Sequence, residues 1–243
     1  MTSATALDAE NIEMRLGHGA ARVHALKGVS LKLLTGQLTL LIGPSGSGKS
    51  TLLSIMGCIL KPSSGSIRVA GSSTDKLDSE RLSELRRRHI GFVFQSYNLF
   101  PGLTALENVR TGLAIRGRTT TNTLLAARAA LEKVGLGNRL QTLPGQLSGG
   151  EQQRVAIARA MVGDPAIILV DEPTAALDGT AGSNVLEQLR RLAVQEKRAV
   201  LVVSHDARAL PFAQRVVTLE DGLIQKSRSE KIRDPLLAEP AHA

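Results

Sequence analysis

The sequence predicts an α/β fold in which helices cover both faces of a parallel sheet and a helical lobe is inserted between two strands. Short apolar runs bounded by Gly, Asp or Pro recur along the chain, and helix-spaced apolar residues follow the later runs. One long stretch between them shows only helical patterns. Continuous apolar strands that alternate with helices are typical of a parallel sheet that is buried on both faces.

Six apolar runs are predicted to be strands, at residues 38–42, 67–70, 90–94, 167–171, 199–203 and 216–219. A helix is predicted between the fourth and fifth runs, because apolar residues there recur at helical spacing on one face. These residues are Val185, Leu186, Leu189, Leu192 and Ala193.

The stretch from Ser96 to about Val162 has no strong strand pattern, and its helical segments lie at 105–113 and 124–134. We therefore expect one domain at 1–226, with a helical lobe at about 96–162 inserted into the α/β core. The first several residues are expected to be loose. A loose tail is also expected at 227–243, which is polar and then interrupted by Pro235 and Pro240.

The composition excludes several classes of protein. With 243 residues, 42% of them apolar, the chain can bury a full core. Its longest apolar runs are far short of the roughly 20 residues that cross a bilayer, and its first residues lack the features of a secretory signal. Cys58 is the only cysteine, which excludes an intramolecular disulfide and a multi-cysteine metal cage. We expect a soluble, cytoplasmic protein.

The charge balance is basic, with 30 Lys and Arg against 22 Asp and Glu, for a net charge of +8. Such a balance can indicate nucleic-acid binding. However, much of the charge is scattered arginine, and a chain with no Trp, one Tyr and four Phe has few side chains on which bases can stack. We expect no nucleic-acid partner, and a surface that tolerates anionic lipid nearby.

A glycine-rich loop follows the strand predicted at 38–42 and opens a helix, which is the context that a phosphate-binding loop requires. Its glycines allow backbone N–H groups to surround phosphates, and the start of the helix adds positive potential. Lys49 is expected to reach the β- and γ-phosphates, and the Ser50 hydroxyl to bind Mg²⁺. The loop consists of Gly43, Pro44, Ser45, Gly46, Ser47, Gly48, Lys49, Ser50 and Thr51.

Two acidic residues end the apolar run at 167–171. Asp171 and Glu172 follow a buried strand at its carboxyl end, where parallel sheets place their sites, and Pro173 ends the strand. Adjacent acids are commonly a solvated turn, but an apolar strand that delivers two carboxylates beside a phosphate loop indicates catalysis. Asp171 is expected to hold Mg²⁺ directly or through water, and Glu172 to polarise the attacking water.

A second glycine-containing segment, Ser148-Gly149-Gly150-Glu151, fits a capping box that opens a helix at 151–162. A capping box does not need paired glycines, whereas Gly149 and Gly150 let a phosphate approach the start of the helix closely. Because the chain already has one phosphate loop, we expect this segment to serve the nucleotide of another subunit.

Over about residues 10–225 the chain resembles the ATPases of ATP-binding cassette (ABC) transporters, with the main motifs in order. The resemblance implies a P-loop NTPase (RecA-like) core with a parallel sheet, an antiparallel β subdomain and an inserted α-helical lobe. It implies that ATP and Mg²⁺ bind, and that two copies form a head-to-tail homodimer. Gln95 matches the Q-loop glutamine near Mg²⁺, Asp178 the D-loop at the dimer interface, and His205 the switch histidine near the γ-phosphate.

Three segments, at 94–101, 103–109 and 171–178, are similar to those of the macrolide-export and lipoprotein-release group (MacB, LolD and DevA types). Members of this group act with an integral-membrane permease subunit and often with a periplasmic adaptor. One position departs from the family, which usually has an aromatic residue that stacks on adenine where this chain has Leu16. His18 is the other candidate for a contact with the base.

These observations predict the ATPase subunit of an ABC transporter, peripheral on the cytoplasmic side of the inner membrane. It would power export or release of a substrate by a separate permease. Hydrolysis would depend on Glu172, His205, Gln95 and Lys49. One alternative is an ATPase that drives a mechanical complex of the cell envelope or of division. Another is a non-transport ABC protein on DNA or ribosomes, which usually has a coiled-coil insertion or two linked cassettes, neither evident here.

Overall fold

A computed structural model describes residues 4–17, 23–117 and 122–229 of the chain. Its elements are β1 (Thr5–Leu16), β2 (Val23–Leu34), β3 (Leu38–Ile42), α1 (Lys49–Met56), β4 (Ser64–Val69), β5 (Ser72–Ser73), α2 (Ser79–His89), β6 (Ile90–Val93), α3 (Ala105–Ile115), α4 (Asn122–Lys133), α5 (Gly149–Met161), β7 (Ile167–Asp171), α6 (Gly179–Val194), β8 (Ala199–Val203), β9 (Arg215–Glu220) and β10 (Leu223–Ser229). Short 3₁₀ helices lie at Pro144–Gln146 and Ala207–Phe212.

The six-stranded sheet has the order β10-β9-β3-β8-β7-β6, and all of its strands except the edge strand β10 run parallel. Side chains of β7 alternate between two cores. Ile168 and Val170 pack with the helical lobe and α6, whereas Ile167 and Leu169 pack with α1 and the second sheet. Burial on both faces explains why the central strands are continuously apolar, and it confirms the predicted α/β class.

The second sheet is antiparallel, with the order β2-β1-β4-β5. It confirms the β subdomain that the family resemblance implied. Strand β1 already begins at Thr5, so the expectation of a loose start is wrong from that residue onward. Strand β10 continues to Ser229, so the tail expected from Ser227 is still a strand at that point, and residues 230–243 lie outside the described part.

The helical lobe is built from α3, α4 and α5, and the described residues between β6 and β7 contain no strand, as predicted. Thr104 and Glu107 form a capping box that starts α3. The buried Asn108 side chain then binds the backbone of Phe100 at both N (2.8 Å) and O (3.1 Å) and donates to Leu103 O (2.8 Å). These bonds fix the segment that leads from β6 into the lobe.

Among the described residues no helix combines the length and apolarity that a membrane span requires. Cys58 follows α1 and is only 7% exposed. Burial raises the pKa of its thiol to about 11, although the charge of Arg86 opposes the rise.

Candidate active site

The carboxyl ends of four neighbouring parallel strands meet along one edge of the large sheet. Strand β3 leads into Gly43, β8 into Ser204, β7 ends at Asp171, and β6 leads towards Gln95. A cavity of about 800 Å³ lies at this edge. It is lined by eleven of the predicted site residues, namely Gly43, Pro44, Ser45, Gly46, Gly48, Lys49, Ser50, Thr51, Gln95, Glu172 and His205.

The phosphate loop depends on glycine at two positions in particular. Gly43 and Gly48 have φ values of 156° and 100°. A Cβ atom at Gly43 would lie 1.9 Å from Leu219 O, and one at Gly48 would lie 2.6 Å from Ala25 O. Both positions therefore exclude side chains by backbone conformation and by space. Gly48 also starts α1 without a side-chain cap, so no side chain takes the first N–H groups of that helix.

Lys49 lies across the loop that it follows. Its Nζ donates to Gly43 O and Pro44 O, at 2.8 Å each, and only 8% of the residue is exposed. The ammonium group is thus held at the centre of the loop, where it can meet the phosphates of a nucleotide. Ser47 is buried beside it, and its Oγ has no hydrogen-bond partner among the described residues.

Ser50 and Asp171 bring two oxygen ligands together, with Ser50 Oγ 3.5 Å from Asp171 Oδ1. Burial raises the pKa of the Asp171 carboxyl, and the charge of Glu172 raises it further. The hydrogen bond from Ser50 and the charge of Lys49 oppose this rise. A half-buried carboxylate beside a second one fits a divalent cation, and Mg²⁺ typically takes one or two protein oxygens together with phosphate oxygens. The described residues contain no cluster of three or more His, Cys, Asp or Glu for a metal held by protein alone.

The side chains of Glu172 and His205 lie next to each other at the cavity. The ring Nδ1 of His205 lies 2.9 Å from Glu172 Oε1, and the His205 backbone N donates to Oε2 at 3.4 Å. Glu172 has φ 44°, in the left-handed region that non-glycine residues rarely occupy. The Glu172 side chain is 13% exposed and that of His205 is 69% exposed, so the carboxylate is largely buried and the imidazole is open to solvent.

Gln95 is exposed at the cavity, and the residues that follow it are held in an unusual conformation. Tyr97 and Asn98 both have positive φ, 58° and 49°. Arg159 on α5 donates to their carbonyl oxygens, at 2.7 Å for Tyr97 and 2.6 Å for Asn98. The helix that begins at Gly149 therefore holds the segment next to Gln95.

The segment at 148–150 lies elsewhere on the chain. None of the described residues that line the cavity belongs to this segment, and Asp178 does not line it either. The capping box is confirmed, because Glu151 Oε2 accepts from Ser148 N at 2.9 Å and Ser148 Oγ accepts from Glu151 N at 3.3 Å. Helix α5 starts at Gly149 rather than at Glu151 as predicted. Asp178 caps α6 through a 2.7 Å bond from Ala181 N.

Gly149 is also close to the rest of its own chain. A Cβ there would lie 3.2 Å from the Tyr97 hydroxyl oxygen and 3.4 Å from Leu177 Cδ2. The paired glycines therefore allow close packing within the chain, a use that the sequence did not suggest.

The wall of the cavity at the expected base position combines aliphatic and basic side chains. Leu16 and Val23 line it with exposures of 39% and 61%, and His24 and Lys27 lie nearby. His18 lies outside the described residues. No Phe, Tyr or Trp lies on this described wall, and the aromatic ring present there is the imidazole of His24.

Sequence reasoning missed two residues that organise the site. Ser204 is fully buried and its Oγ donates to Glu172 Oε2 at 3.3 Å. A polar residue directly after the apolar strand β8 was the available signal. Arg159 gave no comparable signal, because its partners are backbone carbonyls that sequence patterns do not reveal.

The chain is similar to known proteins of one family. The family model described as "ABC transporter" matches residues 26–175. The chain is 42% identical over 224 residues to the lipoprotein-releasing system ATP-binding protein LolD of Shewanella frigidimarina, covering 92% of this chain and 94% of LolD. It is 42% identical over 241 residues to the macrolide export ATP-binding/permease protein MacB of Pectobacterium atrosepticum, covering 99% of this chain but 37% of MacB.

A solved structure is also similar. It is the dimeric post-hydrolysis state of the ATP-binding cassette MJ0796 bound to ADP and Pi, and it matches with a TM-score of 0.84 at 39% identity. The match covers 92% of this chain and 98% of the MJ0796 chain. MJ0796 is a protein of Methanocaldococcus jannaschii.

Proposed function

The chain belongs to the ABC transporter family as an ATP-binding, ATP-hydrolysing subunit, and we propose that it powers export or release of a substrate by a separate membrane permease. LolD is named for a lipoprotein-releasing system and MacB for macrolide export. Both names join ATP binding to the release or export of a substrate. We assign this shared activity, driven by ATP and carried out through a membrane partner, to the chain. We also propose that a periplasmic adaptor acts with the permease.

The proposed site assigns a role to each group in the cavity. Lys49 binds the β- and γ-phosphates, and Glu172 orients and deprotonates the attacking water. His205 steers the Glu172 carboxylate and contacts the γ-phosphate, and Gln95 closes the remaining side. The observation that carries this assignment is the 2.9 Å approach of His205 Nδ1 to Glu172 Oε1 in the cavity that contains Lys49.

Mg²⁺ is proposed to bind at Ser50 Oγ and Asp171, with Gln95 as a further ligand. When bound, it neutralises charge that develops on the phosphate oxygens. Burial and the neighbouring Glu172 raise the pKa of Asp171, so the charged carboxylate is destabilised when no cation is near. A cation at this place would reverse that destabilisation of the carboxylate.

A head-to-tail homodimer is proposed to complete the site. Ser148, Gly149 and Gly150 of one copy would face the phosphate loop of the other, and Asp178 would lie at the interface. The support is that this segment opens a helix but contributes nothing to the described wall of the chain's own cavity. We place the assembly peripherally on the cytoplasmic side of the inner membrane. One ATPase domain that extends through β10, with the helical lobe at 96–162, is proposed to carry these parts.

A groove of about 490 Å³ between α2, β6, α3 and α5 is the proposed docking place for the permease. Phe92 and Phe94 stack in it with ring centroids 4.3 Å apart, and Phe100 and Ile115 are 50% and 58% exposed beside it. Because Phe94 directly precedes Gln95, a segment bound in the groove would act on the cavity through β6.

The substitution Glu172→Gln tests the catalytic assignment. The amide keeps the shape of the side chain but cannot take a proton, so turnover should nearly disappear while ATP binding persists. Size-exclusion chromatography should then show an ATP-dependent dimer that the wild type loses by hydrolysis. Glu80→Gln, the same change on exposed α2, should leave both properties unchanged. A Glu172→Gln chain that hydrolyses ATP at the wild-type rate would remove Glu172 from its assigned role.

Docking is tested separately with Ile115→Asp. A charge in the groove should abolish stimulation of ATPase activity by the co-expressed permease and leave the basal rate of the isolated chain unchanged. Leu125→Asp, on exposed α4, is the matched control, since Leu125 is 66% exposed. Equal stimulation of the Ile115→Asp chain and the control would move the permease to another surface.

A further inference from the structure

Two loops of the site are joined by side chains at two successive levels. They are the loop after β7, which contains Glu172 and Thr174, and the loop after β8, which contains Ser204 and Asp206. At the inner level Ser204 Oγ donates to Glu172 Oε2 at 3.3 Å. At the outer level Thr174 Oγ1 donates to Asp206 Oδ2 at 2.9 Å. The outer contact has no part in the proposed chemistry.

Ser204 connects the two levels. Its Oγ donates to Glu172 and accepts from the Asp206 backbone N at 3.0 Å, and the residue is fully buried. Thr174 is 1% exposed. A shift of Asp206 would therefore move the Ser204 hydroxyl, and with it the hydrogen bond that orients the Glu172 carboxylate.

Arg208 holds the outer contact in place. Its Nε lies 3.0 Å and 2.8 Å from the two Asp206 carboxylate oxygens, and its backbone N donates to Oδ1 at 2.9 Å. The hydrogen bonds from the Arg208 side chain make the largest contribution in lowering the pKa of Asp206 to about 2. The carboxylate is therefore ionised around neutral pH, and the contact does not switch with pH there.

Arg208 also reaches the start of α6. Its Nη1 lies 3.7 Å from the position of a Cβ on Gly179 and 3.6 Å from that on Gly182. The charge of Asp178 contributes to raising the pKa of Arg208, after the larger contribution of Asp206. One guanidinium group thus lies between the Asp206 carboxylate and the turn in which Asp178 caps the helix.

We propose that Thr174, Asp206 and Arg208 form a positioning clasp that sets the orientation of the Glu172 carboxylate and links it to the Asp178 turn. The inference rests on the proposed role of Glu172 as the base. On the proposed dimer, Asp178 lies at the subunit interface, so the clasp would transmit closure of that interface to the base. None of the three residues lines the nucleotide cavity, and each acts through Ser204 and the two loops.

Thr174→Val is the first test, because valine keeps the shape of threonine and removes only the hydroxyl. The clasp predicts a kcat that falls by about tenfold to a hundredfold, since small displacements of a reacting group cost rates of this order. KM for ATP and the Kd of Mg²⁺-ATP should stay within about twofold of wild type. Thr174→Ser keeps the donor and should restore kcat. Thr39→Val removes another fully buried hydroxyl, in β3, and should leave kcat unchanged.

Asp206→Asn and Arg208→Gln approach the clasp from its other members. Both should lower kcat without weakening ATP binding, and Thr174→Val should add little in the Asp206→Asn background, because the two changes remove one contact. Thr174→Val could lower Tm by more than Thr39→Val does. In that case Asp206→Asn and Arg208→Gln test the clasp instead, by the same comparison of kcat with ATP binding. The kcat defects should be equal from about pH 6 to about pH 9, because Asp206 does not titrate there.

Three outcomes would overturn the clasp. They are an unchanged kcat in Thr174→Val and Asp206→Asn, a loss of kcat matched by an equal loss of ATP affinity, and a Thr174→Ser chain as impaired as Thr174→Val. Glu172→Gln, assayed in parallel, separates this from the proposed function. If Glu172→Gln abolishes turnover while the clasp variants are normal, only the clasp fails. If Glu172→Gln retains turnover, the assignment of the base fails.

Discussion

The phosphate loop at 43–51 and the segment at 148–150 both place glycine at the start of a helix, yet their surroundings differ. In the first, α1 starts without a side-chain cap, and Lys49 is held over the loop by two carbonyl oxygens. In the second, Ser148 and Glu151 cap α5 reciprocally, and the first turn carries the negative charge of Glu151. The first segment leaves the N–H groups of its helix start and a cation available for an anion. In the second segment, side chains of the chain itself already bind part of the N–H groups at the helix start.

The difference favours the proposal that the first segment binds the nucleotide of its own chain and that the second completes the site of the other subunit. A helix start with an adjacent ammonium group can bind phosphate within one chain. A capped start beside a carboxylate is a poor anion site alone, and on the proposed head-to-tail dimer it would meet the phosphate of the other subunit.

Gly43→Ala should be the most damaging change in either segment. A methyl group would lie 1.9 Å from Leu219 O, which is backbone and cannot move away. Such overpacking costs about 3 kcal/mol or more, equivalent to a fall in Tm of roughly 6–12 °C. Gly149→Ala meets the movable Tyr97 hydroxyl at 3.2 Å, so its Tm should fall by only a few degrees. Thermal melts of both variants without nucleotide make the comparison, and equal falls would contradict it.

Lys49→Ala should weaken nucleotide binding itself. Charge-assisted hydrogen bonds contribute roughly 1.5–3 kcal/mol, so the Kd of Mg²⁺-ATP should rise by about tenfold to a hundredfold. Turnover should disappear with it. Lys76→Ala, at an exposed position, controls for the loss of one positive charge. Isothermal titration of both variants is the measurement, and an unchanged Kd in Lys49→Ala would contradict the assignment of the first segment.

Ser148→Arg should leave the Kd of the monomer within about twofold and abolish turnover and ATP-dependent dimerisation, because the bulky cation fills the second segment. Ser72→Arg, on exposed β5, is the matched control. Mixing Ser148→Arg with Lys49→Ala chains should restore activity, since a head-to-tail hybrid retains one intact pair of segments. No recovery at any ratio would weaken the division between subunits, and loss of monomer binding would refute it.

Leu16→Tyr should have the smallest effect, a tighter Kd for ATP. Base–aromatic stacking contributes roughly 1–3 kcal/mol in single-strand binders, and Leu16 offers no aromatic face. For the same reason we expect wild-type Kd values for ATP and GTP to agree within about tenfold, below roughly 1.4 kcal/mol. Leu125→Tyr, on α4, is the control. A strong preference for ATP in the wild type, with no gain from tyrosine, would assign the base to another residue, with His18 the first candidate.

The central strands and motifs could be predicted from sequence because burial on two faces leaves a continuous apolar run. The runs at 38–42, 167–171 and 199–203 match β3, β7 and β8 residue for residue. Other limits differed slightly. Strand β4 begins at Ser64, before the run at 67–70, and it ends at Val69, since Ala70 has φ 48°. Strand β6 ends at Val93 rather than at Phe94.

The strands β1 and β2 were not predicted individually, for a physical reason. Each has one exposed face, so charged residues interrupt its apolar ones, and register shifts near Asn11, with φ 51°, break the alternation. Contacts between loops were equally hidden. The approach of His205 to Glu172 follows from strand order in the sheet, but the bonds of Arg159 to Tyr97 O and Asn98 O depend on backbone conformation alone.

The buried thiol of Cys58 has a practical consequence for labelling chemistry. With a pKa of about 11, only about one molecule in ten thousand carries the thiolate at neutral pH, and the sulfur is shielded as well. Maleimides should therefore not react with the native chain. New single thiols such as Ser45→Cys and Ser148→Cys can be introduced without replacing a native cysteine. A disulfide or a spectroscopic distance between them would then measure subunit approach in an otherwise unmodified protein.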